Sequence, residues 1–276
     1  VTLRDPADEL LDLFTLEELD ANLYRAPNPT QSTEYRPTLY GGQVAAQALL
    51  AAAHTVPEGR HPHSIHGYFL RAGRFTRPTV MTVDRDRDGR SFSARHVNAL
   101  QDGDVIFSAL ASFHEPEPGV EYEKAALRLD VDGPETVPAT AADESRVGHD
   151  VMFDVRYLPP GDAAFPWVSS RMWVRPRATL PDDPVMRACV LTYMSDMGWA
   201  FRAVTTSDGR HVGGPSIDHA VWFQRLAPVS DWMLIDLEPL SVAGVRGVYS
   251  GTIHHRDGAL AALIAQETLL RPVDFG

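Results

Sequence analysis

Asp102-Gly103-Asp104-Val105-Ile106-Phe107-Ser108-Ala109-Leu110-Ala111-Ser112-Phe113 and Asp257-Gly258-Ala259-Leu260-Ala261-Ala262-Leu263-Ile264-Ala265-Gln266-Glu267-Thr268 follow one pattern. Each opens on an Asp-Gly pair, a hairpin-turn signal, and runs into an apolar stretch of strand length. The second lies 155 residues after the first. Working outward, Tyr68-Phe69-Leu70-Arg71 is answered by Trp222-Phe223-Gln224-Arg225 at nearly the same offset. A period this long is no solenoid unit. It marks a duplicated domain, and comparing the copies shows where one has acquired polar residues the other lacks.

The chain has 276 residues, enough to bury a sizeable core as one large domain or two fused ones. Its 44% apolar and 22% charged content is that of an ordinary globular protein. No run approaches the ~18 apolar residues of a membrane span. Val1-Thr2-Leu3-Arg4-Asp5 has no leader pattern, and Pro272–Gly276 carries no targeting tripeptide, so a cytoplasmic protein is expected. A net charge of −12 argues against nucleic acid as a partner, though not against an anionic small molecule met by a local basic patch. The single Cys189 excludes an internal disulfide and a cysteine zinc site.

The spacing predicts a short apolar helical face around Leu10, Leu11 and Phe14, then a strand start at Leu23-Tyr24-Arg25. After a Pro/Asn/Thr-rich loop, Gly41-Gly42 precedes a predicted helix, Gln43–His54, with Val44, Ala48, Ala51 and Ala52 on one face. Predicted strands follow at Ser64–Arg71, Thr79–Asp84, Ser91–Leu100 and Asp104–His114. Residues 115–150 lack periodicity and read as a linker between an N-terminal unit, 8–114, and a C-terminal unit, 151–272. The second unit repeats the plan. A strand is predicted at Arg171–Arg175. Asp182-Asp183-Pro184 supplies an N-cap and first-turn proline for a helix ending near Gly198 or running on toward Val204. Strands are predicted at Ser216–Leu226, Trp232–Leu237, Gly244–His255 and Ala259–Arg271. The fold class is α+β, in two copies of a long helix wrapped by an antiparallel sheet.

Two residues break the apolar pattern. Val185, Cys189, Thr192 and Asp196 share one helical face, and a carboxylate on a packed face costs several kcal/mol unless it is paired or neutralised. Such rule-breaking favours a functional site; the plainer alternative is a capping Asp in the last helical turn. Gln266 shares a strand face with Leu260, Ala262, Ile264, Thr268 and Leu270, and stands where the first copy has Ala111. A buried amide needs partners and can orient a water; the alternative is an edge residue facing solvent. Ser216, before the pair Asp218-His219, offers a hydroxyl or simply a turn residue.

No G-x-S-x-G elbow, H-E-x-x-H, P-loop or G-x-G-x-x-G occurs. Cys189 reads as core rather than nucleophile. Of His61, His63 and His66, simple alternation puts the first two on one strand face and the third on the other, so a metal site there is not favoured.

Several strings in order resemble the acyl-CoA thioesterase II family: Leu39-Tyr40-Gly41-Gly42-Gln43-Val44, His63–Arg71, Asp88–Arg95, Tyr193-Met194-Ser195-Asp196, Ile217–Phe223 and Gln266. The resemblance covers roughly residues 8–272. It implies a tandem double hotdog, in which each sheet curls around a long helix. It also implies hydrolysis of acyl-CoA to free acid and CoA, with no metal and no organic cofactor. The family's catalytic Asp, Thr or Ser, and Gln fall by motif on Asp196, Ser216 and Gln266; Ser stands where Thr is usual, and Ala72 where Pro is frequent. Asp196 is then expected to act as general base or to orient a water, with Ser216 and Gln266 holding it and a backbone N–H in the helix region stabilising the oxyanion. A covalent acyl-Asp variant is the alternative mechanism. A homodimer and a single active site per chain, in the C-terminal half, are expected. Two other readings stay open: a hotdog enoyl-CoA hydratase, and a non-catalytic acyl-CoA-binding regulator.

Overall fold

Asp102 and Gly103 both adopt positive φ (52° and 87°), the conformation a two-residue hairpin requires. Around that turn the first copy closes as the alternation predicts. The computed structural model describes residues 8–28, 38–123, 131–138, 152–158, 170–201 and 204–273. The loop at 29–37 and the parts of the expected linker at 124–130 and 139–150 lie outside them.

In the first half the elements are α1 (Glu9–Leu13), β1 (Glu17–Asp20), β2 (Leu23–Ala26), α2 (Gly41–Ala53), β3 (His61–Phe69), β4 (Thr79–Asp88), β5 (Phe92–Gln101) and β6 (Asp104–His114). In the second they are β7 (Phe153–Tyr157), β8 (Arg171–Pro176), α3 (Pro184–Ser195), β9 (Val212–Gly213), β10 (Asp218–Phe223), β11 (Met233–Ala243), β12 (Arg246–His255), β13 (Leu260–Leu269) and β14 (Arg271–Pro272).

Twelve strands form one sheet in the order β1-β2-β4-β5-β6-β3-β10-β13-β12-β11-β8-β7. Read from the β3–β10 junction outward, the two halves mirror each other strand for strand. The junction is antiparallel, with Ile65 opposite Val221 and His66 opposite Ala220. The duplication therefore yields a single continuous sheet with its pseudo-symmetry axis between β3 and β10. This is the tandem double hotdog expected.

The inner face carries the core. On β6, Phe107, Ala109, Ala111 and Phe113 are buried; on β13, Ala262, Ile264, Gln266 and Thr268 are. The alanines of α2 let it lie close to both the first sheet half and α3, and eleven of its thirteen residues, Gly42–Ala52, are buried. In α3, Asp183 caps the start, accepting from the Met186 N–H at 2.7 Å, and Ala188–Ser195 are all buried. Burying two such helices supplies the main driving force, at ~25 cal/mol per Å² of apolar surface.

Several boundaries move for local reasons. Helix α2 begins at Gly41, two residues early, because both glycines sit against α3. Helix α3 stops at Ser195, with Asp196 as its C-cap residue. Gly244 and Val245 both take positive φ, so they form the β11–β12 turn and β12 starts at Arg246. Ser216 precedes β10 and makes only an isolated bridge to Thr268. A bulge between Pro62 and Ser64 breaks the alternation assumed for the histidines. His63 Nε2 bonds Ser112 Oγ at 2.8 Å, while the His66 ring packs on Trp222. Among the described residues no group of three or more His, Cys, Asp or Glu is placed to hold a metal ion. Residues 131–138, expected as linker, contribute Val137 to a second apolar cluster with Trp173, Trp232 and Leu234, and the Trp173 indole donates to the Asp132 carbonyl at 2.9 Å.

Arg95 ties α2 to the β4–β5 hairpin. It is fully buried, and its guanidinium donates to Thr55 Oγ1 and O, the Arg87 and Ala94 carbonyls, and Asp88 Oδ1. A buried cation is tolerated because its donors are so well matched.

Candidate active site

The C-terminal end of α3 meets the N-terminal end of α2, and Asp196 stands at the contact. A Cβ on Gly42 would lie 2.6 Å from the Tyr193 carbonyl and 3.0 Å from Asp196 Cβ; one on Gly41 would lie 2.8 Å from Asp196 Oδ2. Only glycine permits that approach. It brings the Gly42 N–H to Asp196 Oδ2, where it donates at 2.8 Å. Tyr40 completes the joint, its hydroxyl donating to the Tyr193 carbonyl at 3.0 Å.

The three residues singled out in the sequence converge here. Ser216 Oγ lies 3.5 Å from Asp196 Oδ1, a long hydrogen bond, and Gln266 Nε2 donates to Ser216 Oγ at 2.5 Å. Gln266 does face inward, as its comparison with Ala111 predicted. Asp218 and His219 point to opposite sides: Asp218 Oδ1 accepts from the Glu267 N–H at 2.6 Å, and His219 is buried.

Asp196 keeps part of its surface open, yet burial among protein atoms pushes its pKa above the usual carboxylate range. His219, the Gly42 N–H, Gln266 and Ser216 oppose that shift by favouring the ionised form. The helix dipoles also conflict: the end of α3 disfavours negative charge, and the start of α2 favours it. His219 is driven the other way, its pKa lowered by burial against the pull of Asp196. Burial likewise pushes the Tyr249 phenol and the Cys189 thiol far up, so Cys189 is no nucleophile.

Asp196 and Ser216 open onto a cavity of about 520 Å³. Its apolar walls come from the first half, chiefly Leu39, Tyr40, Val44, Phe69, Ile106 and Phe107. Gln266 does not line it and meets Ser216 from behind. The polar groups thus come from one copy and most of the walls from the other. A larger cavity, about 820 Å³, lies among Arg175, Arg177 and Arg187 and includes none of the three residues.

Sequence reasoning missed two participants. Gly42 acts through its backbone N–H, which leaves no side-chain signature. His219 was legible: at the offset that relates Arg225 to Arg71, it stands where the first copy has Ile65. That is the same substitution of polar for apolar that exposed Gln266.

Comparison with known proteins fits this geometry. Residues 29–114 match the acyl-CoA thioesterase N-terminal domain and residues 131–270 the acyl-CoA thioesterase C-terminal domain. The chain belongs to the acyl-CoA thioesterase family. It is 32% identical to acyl-CoA thioesterase 2 of Haemophilus influenzae, over 98% of this chain and 99% of that one. It is also 32% identical to acyl-coenzyme A thioesterase 8 of Rattus norvegicus, over 94% of this chain and 88% of the relative. Among solved structures, an acyl-CoA thioesterase II from Mycobacterium marinum superposes with a TM-score of 0.78 at 36% identity, covering 97% of this chain and 98% of that one.

Proposed function

We propose that this protein hydrolyses acyl-CoA thioesters to free acid and CoA with a water activated by Asp196. The observation that carries the reading is the convergence of Asp196, Ser216 and Gln266, with Asp196 and Ser216 lining a largely apolar cavity. A thioester carbonyl is electrophilic and thiolate leaves readily, so an oriented water suffices. Asp196 Oδ1 takes the water's proton, its basicity raised by burial. Ser216 holds the same water, and Gln266 orients the Ser216 hydroxyl. The acyl chain enters between Leu39, Val44, Phe69 and Phe107. The positive end of α2 faces the carbonyl where negative charge develops in the tetrahedral intermediate.

Asp218 and His219 diverge, so these two adjacent residues do not form the acid and base pair that a hydratase reading would draw from them. The experiment is release of CoA, trapped as free thiol, from acyl-CoAs of graded chain length, with enoyl absorbance followed in parallel. Thiol release matched by free acid is expected. Loss of enoyl absorbance without thiol would turn the assignment to hydration, and saturable binding with neither would turn it to a regulator.

The reading includes a homodimer and a cytoplasmic setting. The dimer is supported by Tyr68, Leu110, Trp222 and Leu263, large apolar side chains exposed on the central strands β3, β6, β10 and β13. A monomeric mass in light scattering at micromolar concentration would overturn it. The cytoplasmic setting is supported by a lone, buried, unbridged cysteine; recovery of the native protein in the extracellular fraction would contradict it. We take 8–114 and 151–272 as the two units and 115–150 as their connection, of which 131–138 packs on the second unit; limited proteolysis tests the division.

A further inference from the structure

Behind the three residues stands a buried histidine with one half of its hydrogen bonding unfilled. His219 is 3% exposed. Its Nε2 lies 2.6 Å from Ser195 Oγ, and Ser195 Oγ also lies 2.8 Å from the Thr192 carbonyl. Its Nδ1 is buried and has no hydrogen-bond partner among the described residues, and neither has Gln266 Oε1. The two orphans are chemical complements, one a ring nitrogen able to carry a proton and the other an amide oxygen. Asp196 and then Gln266 are the groups that most favour the protonated ring.

Ser195 has one proton and two acceptors. Given to Thr192, it leaves Nε2 as the ring's N–H and turns a bare Nδ1 toward an amide oxygen, which is repulsive. Given to His219, it leaves the proton on Nδ1, where it satisfies Gln266 Oε1. Only then does the Gln266 amide present its NH₂ to Ser216, leaving the Ser216 proton free to point at Asp196 and its water. With the amide reversed, its oxygen would take the Ser216 proton and the carboxylate would lose that donor. An unmet buried donor or acceptor costs ~1–3 kcal/mol, enough to decide between such arrangements.

We propose that His219 is a positioning residue, which through its Nδ1–H fixes the Gln266 amide and so directs the Ser216 hydroxyl toward Asp196, the group that takes the water's proton. Hydrogen bonds then run one way, from Ser195 through His219, Gln266 and Ser216 to Asp196. The inference rests on the hydrolytic reading of the site. Leu, which fits a position where the first copy has Ile65, removes the donor. Asn restores one, because its amide nitrogen falls near the place of Nδ1.

The experiment measures kcat and KM by CoA release for His219→Leu, His219→Asn, Gln266→Ala and the His219→Leu, Gln266→Ala double variant, with melting temperatures alongside. Expected is a fall in kcat of about 10-fold or more for Leu with KM within about twofold, most of it recovered in Asn. In the Gln266→Ala background, Leu should cost less than about threefold more, since a residue acting through Gln266 has nothing left to act on. Parental kcat in a folded Leu variant overturns the inference; so does a full-sized loss on top of Gln266→Ala, or an Asn variant no better than Leu. Should Leu fail to fold, Asn decides: activity within a few-fold of the parent supports the donor role, and a dead but folded Asn variant contradicts it. Parental activity in Gln266→Ala would instead remove the hydrolytic assignment of these residues, a separate failure.

Discussion

Asp196 carries a conflict that can be measured apart from catalysis. Burial raises its pKa, so the folded protein holds that proton more tightly than the unfolded chain. The group's contribution to stability is therefore fully present below the ordinary carboxylate pKa of ~3.9 and is lost as pH rises through the raised value. At pH 7 the ionised carboxylate is a cost. Asn keeps an oxygen for the Gly42 N–H and discards the charge, so Asp196→Asn should melt at or above the parent temperature at pH 7. The advantage should vanish near pH 4. A melt several degrees below the parent at pH 7 would show that the carboxylate is a net structural support. Ser216 separates chemistry from shape. Its argued role needs only the hydroxyl, so Ser216→Thr should turn over within a few-fold of the parent and Ser216→Ala should lose ~10-fold or more. Equal turnover by Ala and the parent would remove the hydroxyl from the water's environment.

At the scale of elements, the site depends on how closely α2 and α3 approach. Gly42→Ala would drive a Cβ into the Tyr193 carbonyl, a backbone atom that cannot move without its helix. The helices would have to part, and the Gly42 N–H would leave Asp196 Oδ2. Expected is a loss of ~1–3 kcal/mol in stability together with at least ~10-fold in turnover. Thermal melting and CoA release check both, and a Gly42→Ala variant that matches the parent in each would mean the contact is looser than described. The same elements show what the sequence could carry. The site residues of helix α3 and strand β13 were legible because a carboxylate and an amide interrupt apolar faces. Strand β1 was not, since Glu17–Asp20 are all exposed and show no alternation. Nor was the bulge at Pro62–Ser64, which depends on pairing with β6 and reverses a side-chain assignment made from spacing alone.

For the whole molecule, duplication explains the division of labour. One copy kept an apolar inner face at Ile65 and Ala111 and supplies walls; the other acquired His219 and Gln266 there, with Asp196 at the end of its helix. The order of elements and the asymmetry were both visible by laying one half over the other. Invisible was that the two halves share a single cavity, because this follows from the β3–β10 junction and not from either half. The central claim is that one carboxylate at that shared site activates the water. The most direct test is single-turnover CoA release by purified Asp196→Asn, with enzyme in excess over acyl-CoA so that product release plays no part. The account predicts a folded variant whose chemical step is slowed ~100- to 10,000-fold; release within a few-fold of the parent would contradict it.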